Sequence, residues 1–343
     1  MTDQINFMDG FDVYASSSDL QGLGVYTNTN GVAWGSTYGR FGAGGLYFGL
    51  YNETLSRAVP SNPTAVLVGF AFNFVPVAYN ACLMAFVSAS GVECSLWVNY
   101  STNQFYVLTG AAGTVQWTGP AEPSLSGWHY LEVYCLLGSG TSGIVSVQLD
   151  GATYYGAGVG INSNNAGGSA ITSIQLGGGN NTQKMYVDDF YIRNLTGVGS
   201  FTWYGDVRIQ TLAPTSDTSP NNGSPASGTS HYPMVASLPY NTSNYITLAN
   251  TSGQEELYGF ASLSGSPTSI FAVDVSFIVQ KSDAGTASLE GVLSSGGTVS
   301  YGSSIAVTTS YQMFKAGYTI DPNTSAAWTA SGVNAVKAGY KVP

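Results

Sequence analysis

The sequence predicts an all-β protein in two parts, and three observations carry the prediction. Only 8% of the 343 residues are charged, against about a quarter in ordinary soluble chains, while 44% are hydrophobic. There are 44 Gly and 23 Tyr, and few stretches have helix-forming composition. The apolar runs are short, often alternate with polar residues, and are separated by turn signals. The polar surface must then be built from Ser, Thr, Asn, Gln, Gly and Tyr, which suits strands joined by tight turns. The length allows two domains, and the hydrophobic content excludes a disordered chain.

Taken in order, "GLYFGLY" (45–51) reads as a first short strand. "TAVLVGFAFNFVPVA" (64–78) follows, and its alternating Phe70, Phe72 and Phe74 predict a half-buried strand. "CLMAFVSASGVECSLWVNYSTNQFYVLTG" (82–110) reads as two strands, a turn and a third strand. "GWHYLEVYCLL" (127–137) and "GIVSVQLDGATYYG" (143–156) come next, the latter turning at its Asp-Gly. "AITSIQLGGG" (170–179) and "KMYVDDFYIRN" (184–194) complete a set whose spacing matches a β-sandwich. The first domain is placed at 1–198. Residues 199–343 form the second, smaller β domain. It opens near a Pro/Ser/Gly/Asn-rich segment at 213–233, which has no periodicity and reads as a functional loop or linker. Strand-like runs resume at 244–249, 269–281, 287–295 and 304–315, and 326–342 accommodates one helical turn.

The order of "MDGFDVY", "YGRFGAGGLYF", "GWHYLEVY", "VSVQLDGA" and "MYVDDFYI" resembles the laminin-G-like, concanavalin A-like jelly roll over about the first 195 residues. The second half, with "GDVRIQ" at its start and "DPNTSAAWTASGVNAVKAGYKV" at its end, resembles a module that follows the jelly roll in tailed-bacteriophage virion proteins. The resemblance implies a non-enzymatic structural component of the particle, tail- or fibre-associated or capsid-decorating. Such a protein acts through interfaces with other virion proteins and as a homo-oligomer, with a trimer preferred. A glycan-binding, receptor-recognising module on the virion, contacting host surface glycan, is the alternative. A polysaccharide depolymerase is the third reading.

Net charge is −10, and the nine basic residues are scattered, which argues against nucleic-acid binding. No run is long enough for a membrane span, and the first residues lack the pattern of a signal peptide. Asn-X-Ser/Thr triplets begin at Asn52, Asn99, Asn180, Asn194, Asn222, Asn241, Asn250 and Asn323 and read as products of an Asn/Ser/Thr-rich surface. Location in a virion assembled in the host cytoplasm and released by lysis would reconcile that surface with the missing signal. Cys82, Cys94 and Cys135 lie in apolar runs and read as buried free thiols, with a Cys82–Cys94 cross-strand bond as the other option.

No catalytic or cofactor-binding residue is assigned. His129 reads as a packed or edge residue, and His231 has no acidic or nucleophilic neighbour pattern in the sequence. Glu132 stands alone, so the paired carboxyls of a glycosidase are not legible. Tyr154 and Tyr155, near a turn, exemplify aromatics suited to a sugar. Asp9, Asp12, Asp150 and Asp188 are oxygen-ligand candidates for calcium, with turn and strand-end hydrogen bonding as the competing role. Strict alternation in "YVDDFYIRN" places Tyr186, Asp188, Phe190 and Ile192 on one face and Val187, Asp189, Tyr191 and Arg193 on the other. The adjacent acids then cannot act as a dyad, and Asp188, on the more apolar face, needs a hydrogen-bond partner or a cation. Asp188 is thus the metal candidate, and calcium the sole cofactor considered.

Overall fold

The structure, a computed structural model, describes residues 4–50, 52–75, 80–99, 101–122, 124–155, 160–178 and 184–343, with backbone alone at 153–155. It is nearly all β. The chain divides into two compact units: Met1–Phe11, Ser16–Gln21 and Tyr26–Ile209 form the first, and Asp12–Ala15, Gly22–Val25 and Gln210–Pro343 the second.

The first unit contains β1 (Gln4–Asp9), β2 (Asn28–Asn30), β3 (Ala33–Gly35), β4 (Gly45–Phe48), β5 (Thr54–Ala58), β6 (Ala65–Phe74), β7 (Ala81–Ser88), β8 (Gly91–Asn99), β9 (Gln104–Thr109), β10 (Val115–Ala121), β11 (Gly127–Leu136), β12 (Ile144–Leu149), β13 (Ala152–Tyr155), β14 (Ser173–Gly177) and β15 (Met185–Asn194). They build two antiparallel sheets. One runs β13-β12-β11-β6-β15-β4-β3, with β1 also paired to β15, and the other runs β10-β9-β8-β7-β14-β5-β2. Alternation sends one row of each strand inward. Val66, Val68, Phe70, Phe72, Leu131 and Val133 come from the first sheet, and Phe86, Leu96, Phe105, Val107, Ile174 and Leu176 from the second. None is more than 1% exposed. Phe72 meets Phe105 edge to face at 6.5 Å and 90°, joining the two sheets through one aromatic pair. Burying each such side chain stabilises the fold by roughly 1.5–3 kcal/mol.

Strand β6 departs from the half-buried expectation, because Leu67 and Ala71 on its outward face are also fully buried. The segment 196–209 crosses that face as a strap, and Phe201, Trp203, Tyr204 and Val207 pack on Leu67, Ala71, Tyr130, Tyr134 and Tyr191. A strand between a sandwich core and a strap is apolar on both sides, and alternation alone does not reveal the second cover.

The second unit contains β16 (Pro214–Asn221), β17 (Ser224–Pro225), β18 (Ile246–Thr247), β19 (Glu255–Phe260), β20 (Val273–Val279), β21 (Ser288–Ser295), β22 (Thr298–Tyr301), β23 (Ile305–Ala306), β24 (Gln312–Tyr318) and β25 (Lys337–Lys341). Its main sheet runs β16-β19-β25-β21-β22, with β23 on β21, and β17–β18 and β20–β24 pair separately. The Pro/Ser/Gly/Asn-rich segment therefore carries a ladder strand. It also carries the 3₁₀ turn Tyr232–Met234, fixed by the Asp217 carboxylate, which accepts the His231 and Tyr232 N–H groups at 3.1 and 2.6 Å. The short helix Ala330–Asn334 starts at Thr329, whose hydroxyl oxygen accepts the Gly332 N–H at 3.0 Å. Trp328, Val333, Val336 and Ala338 pack with Val275 and Leu293 in a core of its own.

Candidate functional site

The two acids of "YVDDFYIRN" sit at a β-bulge. Asp188 lies opposite Ala71 and Tyr191 opposite Gly69, so three residues of β15 advance against two of β6. Asp189 takes up the extra residue with φ of +52°, a region Asp tolerates better than most side chains. The face assignment from strict alternation is thereby corrected. Tyr186, Asp188, Tyr191 and Arg193 lie opposite Asn73, Ala71, Gly69 and Leu67 on the outward face, while Val187 and Ile192 lie opposite inward Phe72 and Val68.

Both acids hold their own chain. Asp188 accepts the backbone N–H groups of Arg40 and Asp189, at 2.8 and 2.7 Å. Asp189 accepts the Ile209 N–H at 2.6 Å and lies 3.1 Å from Arg40 Nε, an ion pair without aligned hydrogen-bond geometry. Burial pushes the Asp189 carboxyl up to about 6, opposed by the Ile209 N–H and the Arg40 charge. Glu132 accepts the N–H groups of Tyr204 and Gly205, at 2.9 and 2.8 Å, and the Tyr191 hydroxyl. Burial raises its pKa as well, against those donors. Arg193 donates to the Thr202 carbonyl at 2.7 Å and stacks on Tyr204 at 3.8 Å. Asp189, Glu132 and Arg193 fasten the strap.

The calcium candidates do not converge. Asp9 accepts the Phe11 N–H and the Tyr26 hydroxyl, both at 3.0 Å. Asp150 accepts the Tyr130 N–H and meets His129 Nδ1, both at 2.7 Å. Asp12 belongs to the second unit. Among the described residues, no three His, Cys, Asp or Glu side chains are grouped to hold a metal ion. His129 also packs its ring on Phe72 at 5.8 Å. Tyr154 and Tyr155 have side chains outside the described residues.

The other sheet carries a different surface. Register places Ser56, Gln175, Ala85, Ser95 and Leu108 in one cross-strand row of its outward face, and Cys82, Trp97, Tyr106 and Thr118 in the next. Trp97 and Tyr106 stack at 6.2 Å and 27°, and the indole N–H is held by Ser95 Oγ at 2.9 Å. Trp97 is buried, while Tyr106 remains half-buried. The Tyr106 hydroxyl bonds to Asn80, and burial raises its pKa despite that bond. Glu93 shares this face but is closed off, with its carboxylate accepting the Ala166 and Gly168 N–H groups at 2.7 and 2.8 Å. It is the single charged side chain among the described strand positions of the face. An aromatic ring edged by neutral amides and hydroxyls is chemistry that meets the C–H face and hydroxyls of a sugar. A Tyr or Trp at alternate strand positions is equally a core pattern, so the sequence did not single out Tyr106.

In the second unit, His231 does have an acidic neighbour. Its Nδ1 lies 2.9 Å from Glu256 Oε2, which also accepts the Tyr258 hydroxyl at 2.9 Å, while Oε1 accepts the Gly223 N–H. Glu256 is 25 residues away in sequence and fully buried. With Asp217 on the His231 backbone, the cluster clamps the segment between β17 and the 3₁₀ turn.

No family model matches the chain, and no curated protein does. Solved structures similar in fold include the endo-β-1,4-glucuronan lyase from the fungus Trichoderma reesei, with TM-score 0.40 and 14% identity over 55% of this chain and 95% of that one. Alginate lyase Aly36B gives TM-score 0.38 and 15% identity over 55% and 97%. A Trypanosoma rangeli sialidase gives 0.32 and 18% over 44% and 25%. At these identities the likeness is one of fold. Because these neighbours are lyases and sialidases, the expectation of a non-enzymatic tailed-phage structural component, with a virion glycan-binding module as alternative, is corrected. The expectation that the chain is not an enzyme is corrected with it.

Proposed function

We propose that this chain processes carbohydrate, and that a chain of uncharged sugars lies across the outward face of the seven-stranded sheet. One observation carries the reading: Tyr106 is stacked on buried Trp97 and bonded to Asn80, in rows of neutral side chains on a face whose single carboxylate among the described strand positions, Glu93, is already occupied. Trp97 fixes the tilt of the Tyr106 ring, and Ser95 fixes Trp97 through the indole N–H. Gln175 and Ser56 extend the row with groups that donate and accept without charge. A tyrosine phenol is protonated at neutral pH and burial raises the Tyr106 pKa further, so its role is to donate a hydrogen bond or a proton to a sugar oxygen. We also read the sandwich as the laminin-G-like, concanavalin-like kind, on the support that first and last strands β1 and β15 pair within one sheet.

The test uses the purified full chain with a panel of neutral and uronate polysaccharides, scoring binding by calorimetry and product release by chromatography. Neutral chains are expected to bind and yield shorter products. Tyr106→Phe keeps the stack and loses the hydroxyl, so product release falls about 100-fold with binding nearly unchanged. Tyr106→Ala weakens binding about tenfold as well. Neither binding nor product across the panel overturns the reading.

A further inference from the structure

Cys94 in β8 and Cys135 in β11 face each other across the sandwich core, with sulfurs 3.9 Å apart. They come from different sheets and are 41 residues apart in sequence. Cys82 takes no part: it lies opposite Trp97 on the outward face, while Cys94 lies opposite Phe86 on the inward one. The cross-strand option Cys82–Cys94 is therefore closed by register, and a pairing that no sequence spacing announces is open. All three thiols are free in the structure, and Cys94 and Cys135 are 1% and 0% exposed.

We propose that Cys94 and Cys135 are a latent inter-sheet staple, closed to a disulfide when the chain folds in the presence of a small-molecule disulfide such as oxidised glutathione. The Cys94 or Cys135 thiolate attacks that reagent, releases one reduced thiol and forms a mixed disulfide. The second cysteine then attacks the mixed disulfide and releases the other. Two protons leave the protein thiols, and its two electrons reduce the reagent to two thiols. Folded burial shields both sulfurs, so the bond forms while the sheets are still closing, and in the finished core it is shielded from reductant in the same way. Sulfurs already in van der Waals contact need less than 2 Å of further approach, and rotation about the Cα–Cβ bonds supplies much of it. The staple would tie β8, the strand that carries Trp97, to β11, an interior strand of the opposite sheet. It stands independently of the carbohydrate reading.

The test refolds the full chain in oxidised-plus-reduced glutathione or in dithiothreitol, then unfolds and alkylates each sample and measures mass. The oxidised sample is expected to take one alkyl group, at Cys82, and to yield a Cys94–Cys135 linked peptide. The reduced sample should take three. A closed loop of this length is expected to raise the midpoint of thermal unfolding by about 10 °C, reversibly with dithiothreitol. Cys82→Ser should keep that reductant-sensitive shift, while Cys94→Ala and Cys135→Ala should each abolish it. Three alkylations after oxidative refolding, a linkage through Cys82, or an unchanged reductant-sensitive shift in Cys94→Ala would each overturn the staple. The reductant comparison is made within each variant, so a cavity that lowers stability does not blur the outcome.

Discussion

Asp189 shows how one backbone angle reassigns a residue. Its φ of +52° opens the bulge, and the bulge brings its carboxylate to the strap side beside Arg40 and the Ile209 N–H. Burial then pushes its carboxyl from 3.8 up to about 6. The folded chain holds this proton to higher pH than the unfolded one. Its contribution to stability is therefore full below about pH 4, declines as pH rises to about 6, and stays at the lower level above that. Urea unfolding of wild type and Asp189→Asn across pH 4–7 should show wild type losing stability relative to the variant over that interval. A pH-independent difference would rule this out. Tyr106 is the complementary case. Nothing marks it in the sequence, since its value lies in the Trp97 ring beneath it and the charge-free rows around it.

The element that organises the first unit's outward side is the strap at 196–209. It has no regular structure, so its backbone groups must find partners elsewhere, and Glu132 and Asp189 supply them. Removing the Glu132 carboxylate leaves two strap N–H groups and the buried Tyr191 hydroxyl without their acceptor. Glu132→Ala is expected to destabilise by about 3 kcal/mol, and to speed amide exchange at Tyr204 and Gly205 far more than in β11. Equal acceleration in both would mean the strap is not held by this group. Strands were the legible part of the sequence. β6 to β9, β11, β12 and β15 follow from apolar runs and turn signals, because local alternation reflects a nearby sheet surface. The strap's cover over β6 was not legible, since Leu67 and Ala71 look the same whether a strap or a second sheet lies above them. The His231–Glu256 clamp was equally hidden, because a hydrogen bond spanning 25 residues leaves no local pattern.

At the scale of the molecule, neutral polar side chains replace charge almost everywhere, leaving 19 acids against nine bases and an isoelectric point near 4.3. With so few charges to keep molecules apart, solubility should pass through a sharp minimum near that pH, visible as a turbidity maximum in a titration from pH 3 to 7. A flat profile would mean that hydration of the Ser, Thr and Asn surface alone keeps the chain dispersed. The sequence by itself determined the all-β class, most strand positions and the poverty of charge, because composition and short-range alternation are properties of neighbouring residues. Only the tertiary structure decided which side chains meet. It made Asp189 a strap anchor and Asp188 a brace for the Arg40 backbone and the bulge, set Tyr106 on Trp97, and put Cys94 against Cys135. Each of those contacts joins separate strands or loops, and their register is fixed by bulges and packing that no single stretch of chain encodes.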